Sequence, residues 1–135
     1  MLTGASRGIG RRCVEVLLEA GAEVIGSARR LESLEGLVGR AGFRGVAADL
    51  SQPDAAAKLR DAVVQRWGAL DVLVHNAGIM LAHAEEICSE PEGVLEQTLD
   101  VNLLAPHRIT RALLPLLERG EAPRIVNVSS DAGTH

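Results

Sequence analysis

Two kinds of periodicity alternate along this chain, and that alternation constrains the fold more than any other feature. Short apolar runs recur at residues 22–28 (AEVIGSA), 43–50 (FRGVAADL), 70–78 (LDVLVHNAG) and 123–130 (PRIVNVSS). Between them lie segments with helical spacing. After the opening TGASRGIG, Ile9, Cys13 and Leu17, with Val14 and Leu18 beside them, form one apolar helical face. RLESLEGLVGRA is a weaker helix, loosened by Gly36 and Gly39. SQPDAAAKLRDAVVQRWG is a firm one, capped by Ser51 and ended by Gly68, with Ala55, Leu59, Ala62, Val63 and Trp67 on its apolar face. Residues 79–90 read as a loop, and residues 91–120 as a long helical segment interrupted at Pro106. Strands alternating with helices give βαβ units, hence an α/β fold with a parallel sheet covered on both faces. Strands buried on both sides explain runs such as VLV and IVNV in place of strict alternation.

The rest of the composition narrows the class. At 135 residues the chain is expected to form one domain, residues 1–135. A hydrophobic fraction of 47% and a charged fraction of 24% fit a globular protein. The net charge of −4 argues against a nucleic-acid face. No apolar run reaches the ~20 residues of a membrane helix, and no export signal opens the chain. A cytoplasmic location without membrane or nucleic-acid partners is therefore expected. Cys13 and Cys88 read as free thiols. The histidines at 75, 83, 107 and 135 have no metal-ligand spacing, so no metal is expected.

Ligands of such sheets bind beyond the carboxyl ends of the strands, and the notable polar residues fall there. TGASRGIG spaces Gly4, Gly8 and Gly10 as G-x-x-x-G-x-G. Missing side chains let a pyrophosphate approach the backbone, and the following helix offers free N–H groups. Ser6, Arg7 and Ile9 complete this candidate nucleotide loop. An acidic residue near the end of the second strand would bond an unphosphorylated ribose; here stand Arg29 and Arg30, which suit a 2′-phosphate. Arg7 could approach the same group. NADP(H) is thus preferred, with NAD(H) possible. Asp49 can accept from the adenine amino group while Leu50 packs on the ring; equally, Asp49 could simply begin the next helix. Asn76, Ala77 and Gly78 stand where a cofactor would pass the third of these strands.

TGASRGIG, ADL, HNAG, DVN and IVNVSS follow in the order and at the spacing of the short-chain dehydrogenase/reductase family, which the whole chain resembles. A sugar-nucleotide epimerase relative would space its loop as G-x-x-G-x-x-G. The resemblance implies a Rossmann-like, doubly wound, three-layer α/β/α sheet and hydride transfer between a nicotinamide cofactor and a small-molecule carbonyl or alcohol. It also implies a homodimer or homotetramer built on a long helix resembling residues 91–119. It assigns Ser130 as the catalytic serine, whose hydroxyl would bond the substrate oxygen. Asn102 resembles the helix-kinking asparagine whose backbone carbonyl holds a relay water. Pro106 would leave that carbonyl without its helical N–H. The family's Tyr-x-x-x-Lys pair has no counterpart: the chain has no tyrosine, and its only lysine is Lys58. With just three residues before Gly4, the domain reads as truncated at both ends, expected to be marginally stable and without turnover by itself. The alternative is a non-catalytic NADP-binding module or an inactive remnant.

Overall fold

A computed structural model describes residues 1–81 and 91–130. Five parallel strands form one sheet in the order β3-β2-β1-β4-β5. They are β1 (Leu2–Thr3), β2 (Val24–Ala28), β3 (Phe43–Ala47), β4 (Val72–His75) and β5 (Arg124–Asn127). The helices are α1 (Gly8–Glu19), α2 (Ala55–Arg66), α3 (Val94–Leu99) and α4 (Ala105–Leu117). The chain winds from β1 out to β3, then crosses to β4 on the other side of β1. This reversal leaves a crevice beyond the ends of β1 and β4, where doubly wound sheets take ligands.

β1 is only two residues long, yet it is the central strand, paired with β2 through Leu2–Gly26 and with β4 through Leu2–Val74. Met1 extends the pairing: its nitrogen donates to Val72 O at 2.9 Å, and its carbonyl accepts from Val74 N–H at 2.8 Å. These residues are buried on both faces of the sheet. Leu2 packs with Val14, Val24, Leu34 and Leu37 on the α1 face. Met1, Ile25 and Leu73 pack with Leu59, Val63, Ile109 and Leu113 beneath α2 and α4.

Four local readings are corrected by the structure. Residues 30–41 do not form an α-helix: a 3-10 turn (Leu31–Leu34) is followed by turns in which Gly36 and Gly39 have φ of +80° and +92°, values a right-handed helix cannot contain. Ser51 does not cap α2; its hydroxyl donates to Asp49 Oδ1 at 2.8 Å, and α2 begins at Ala55. The buried face of α1 is Gly10 and Val14, flanked by Cys13 and Leu18, whereas Ile9 and Leu17 are exposed. The break in the long helical segment is a π-turn over Asp100–Leu104, where Ala105 N–H reaches back to Asp100 O, and Pro106 sits in the first turn of α4. The rest of the 79–90 loop, with His83 and Cys88, lies outside the described residues, as do Gly133 and His135.

His75, at the end of β4, is buried. Its Nε2 lies 2.8 Å from Thr110 Oγ1 on α4, and Nδ1 has no partner among the described residues. Burial lowers its pKa below the usual imidazole value, because a charge there would be desolvated. Below about pH 6.5 the unfolded chain takes up this proton before the folded one does. Stability is therefore expected to fall on acidification through that range, and to fall less in His75→Gln. Urea midpoints at about pH 7.5 and about pH 5.5 measure the difference.

Candidate functional site

The site grows out of a close contact between two loops. β1 ends at Thr3, and Gly4 turns with φ +72°. Ala5 N–H then bonds Ser27 O at 2.8 Å, and Arg7, extended, precedes the first turn of α1. Opposite, β4 ends at His75 and continues as Asn76, Ala77 and Gly78. A Cβ on Gly4 would lie 2.8 Å from Ala77 Cα, and one on Gly10 would overlap Gly4 O and Asn76 Nδ2. Only glycine allows this approach.

Side chains lock the contact. Asn76 Nδ2 donates to Thr3 O at 3.0 Å and Gly4 O at 3.1 Å. Thr3, buried, accepts at Oγ1 from Asn76 N–H at 3.1 Å and Ala77 N–H at 3.2 Å. Every one of these groups satisfies a backbone donor or acceptor that a strand end would otherwise leave open.

A groove of about 360 Å³ opens over this junction. Gly4, Ser6, Arg7, Gly8, Arg29, Asp49, Leu50, Asn76, Ala77 and Gly78 all line it, and so share one surface. Arg30 lies in an adjoining cleft with Ser6, Arg29, Ser33 and Asp49. Gly10 is buried behind the groove and acts through packing. Ile9 stays 65% exposed on the flank of α1 and does not line the groove. Asn102 stands behind Gly78: its Oδ1 accepts from Ile79 N–H and its Nδ2 donates to Ile79 O, both at 2.8 Å. The π-turn presents this side chain, and Pro106 offers its backbone carbonyl no N–H. Ser130 is exposed just past β5 and is not among the lining residues.

The sequence reading missed Thr3, Ile79, Gln97 and Val101. Gln97 and Val101 are one turn apart and face the groove together. Their i, i+4 spacing ahead of Asn102 was the available signal. Thr3 could have been found as a polar residue closing a buried strand.

Leu50, Ala48 and Val101 give the groove an apolar wall beside Asp49. Asp49 Oδ1 accepts from Ser51 N–H at 3.1 Å as well as from its hydroxyl, which fixes the carboxylate at the rim. Among the described residues, Arg7, Arg29 and Arg30 form no ion pair, while Arg11, Arg12, Arg60, Arg66 and Arg108 do. The groove thus combines an apolar slot, a backbone cradle at a helix start and cationic side chains. These fit a base, a pyrophosphate and a further phosphate in turn.

A glycine loop at the switch point of a parallel sheet, stapled to the next strand end, defines a Rossmann-like nucleotide-binding fold. The family profile of short chain dehydrogenases matches residues 1–135, and the chain belongs to that family. It is 34% identical over 136 residues to an uncharacterized oxidoreductase of Staphylococcus saprophyticus, covering 98% of this chain and 54% of that protein. It is 33% identical to a 3-oxoacyl-[acyl-carrier-protein] reductase of Vibrio cholerae, covering 99% and 55%. The RhlG/NADP active-site complex of Pseudomonas aeruginosa superimposes with a TM-score of 0.88 at 34% identity, covering 99% of this chain and 55% of that one. The chain spans about half the length of the curated relatives it matches. Among the described residues no helix is long and apolar enough to cross a membrane.

Proposed function

We propose that the groove holds NADP(H), and that these residues form the cofactor-binding part of an oxidoreductase acting on a small carbonyl or alcohol. The observation that carries the reading is that Arg7 and Arg29 line the groove and Arg30 the adjoining cleft, none of them in an ion pair among the described residues, and that β2 runs into Arg29 and Arg30 rather than an acidic residue. The NADP complex of RhlG supports it. When bound, the cofactor supplies or accepts a hydride. The chain's own residues do the rest. Gly4, Gly8 and the first turn of α1 take the pyrophosphate, Asp49 and Leu50 the adenine. Asn76 holds the two loops at one separation, and Gly78 lets the nicotinamide end pass. Asn102 fixes the Ile79 backbone beside it and leaves its own carbonyl open to a relay water. Ser130, past β5, is the hydroxyl that bonds the substrate oxygen and its developing charge. Self-association through α3 and α4 is part of the proposal, since Leu95, Leu99, Leu103 and Leu114 are exposed there.

Titration calorimetry tests the reading. NADPH is expected to bind at least about tenfold more tightly than NADH, and the double variant Arg29→Ala/Arg30→Ala to lose that advantage while NADH affinity holds. Equal affinities in the unmodified chain would overturn the NADP assignment.

A further inference from the structure

We propose that Ser33, on the 3-10 turn after β2, is a cofactor-specificity residue whose hydroxyl bonds the 2′-phosphate. The proposal rests on the NADP reading above and adds to it a residue that no motif marks. Ser33 lines the cleft beside the groove together with Ser6, Arg29, Arg30 and Asp49. The residues around this cleft thus include two arginines and two serines, side-chain types that can donate to a phosphomonoester dianion. Asp49, the one acid in that wall, is already bonded at Oδ1 by the backbone and hydroxyl of Ser51.

The fold places Ser33 without help from a ligand. Arg30 is extended, so the chain turns sharply after it. Ser33 N–H then bonds Arg30 O at 3.2 Å, which ties the two residues across one turn. The next residue, Leu34, and then Leu37 are both fully buried against the α1 face of the sheet. They anchor the turn and hold the partly exposed Ser33 at the cleft. Rotation of this turn by one residue would put Leu34 in water, so the register is set by burial and the serine follows.

Calorimetry with three probes on the full chain decides the matter: adenosine 2′,5′-bisphosphate, adenosine 5′-monophosphate and orthophosphate. Ser33→Ala is expected to weaken the bisphosphate at least about tenfold and leave the monophosphate unchanged, as loss of one hydrogen bond to a charged group requires. Ser33→Thr restores the affinity. Ser33→Asp brings a like charge to the phosphate and weakens the bisphosphate by more than the alanine variant does. Unchanged urea midpoints show that the variants fold alike. If Ser33→Ala leaves the bisphosphate untouched while the arginine double variant loses it, the role of Ser33 is refuted and the NADP reading stands. If the unmodified chain gains nothing from the 2′-phosphate, the NADP reading itself falls, and this proposal with it. Orthophosphate binding as tightly as the bisphosphate, with the same dependence on Ser33, would overturn the nucleotide assignment of the cleft.

Discussion

Gly10→Ala is expected to abolish nucleotide binding and to destabilise the chain by about 3 kcal/mol, the upper range for overpacking a rigid contact. The new methyl would overlap Gly4 O and Asn76 Nδ2, both held by the bonds that join the two loops. Neither can retreat alone, because Asn76 Nδ2 also bonds Thr3 O. The loops must separate, and the pyrophosphate cradle separates with them. Gly8→Ala is the informative contrast. Its φ is +55°, so alanine there costs about 1–2 kcal/mol of backbone strain. However, the added carbon meets no atom within 4 Å beyond its chain neighbours and its own helical turn, and the loops stay in contact. Unfolding in urea, followed by the fluorescence of the single tryptophan, Trp67, gives both stabilities. Gly10→Ala matching Gly8→Ala in stability would refute the packing role.

Thr3→Val is expected to cost about 3 kcal/mol although it preserves shape. Thr3 Oγ1 is the acceptor for two backbone N–H groups, those of Asn76 and Ala77, at a position 1% exposed. Valine leaves both donors desolvated and unpaired, at roughly 1–3 kcal/mol each. Thr3→Ser keeps the acceptor and loses one methyl, about 1 kcal/mol. The order of urea midpoints is therefore unmodified, then serine, then valine. The valine variant also binds NADPH more weakly, because the Asn76–Gly78 segment loses its anchor to β1. Serine and valine variants of equal stability would refute the account.

How much of this was legible beforehand differs from element to element. The alternation of apolar runs and helical spacing implied a parallel α/β sheet because period and burial are local properties of a sequence. The ordered motifs then implied the family and its doubly wound sheet. The segment at 30–41 misled because its leucines do have helical spacing. They are buried by a 3-10 turn and glycine turns instead, since Gly36 and Gly39 adopt left-handed backbone. Ser51 was read as a cap because a serine opening a helical stretch commonly is one. Asp49 offered its hydroxyl a nearer partner. The face of α1 was misjudged because Gly10 carries no side chain to mark it as buried, and the close approach it permits is visible only once Gly4 and Asn76 are in place.

By itself, the sequence determined the layers, the crevice at which ligands bind and the residue types gathered there, since each follows from hydrophobic period or from a short motif at a strand end. Only the tertiary structure decided that Leu2 and Thr3 lie at the centre of the sheet, paired on either side with β2 and β4. It also decided which residues share the groove. Gln97 and Val101 enter it, and Ser33 the adjoining cleft, from segments far from the glycine loop, while Ile9, inside that loop, turns away. Such placement depends on how buried leucines orient each turn against the sheet, a property of packing between distant segments that no local stretch of sequence contains.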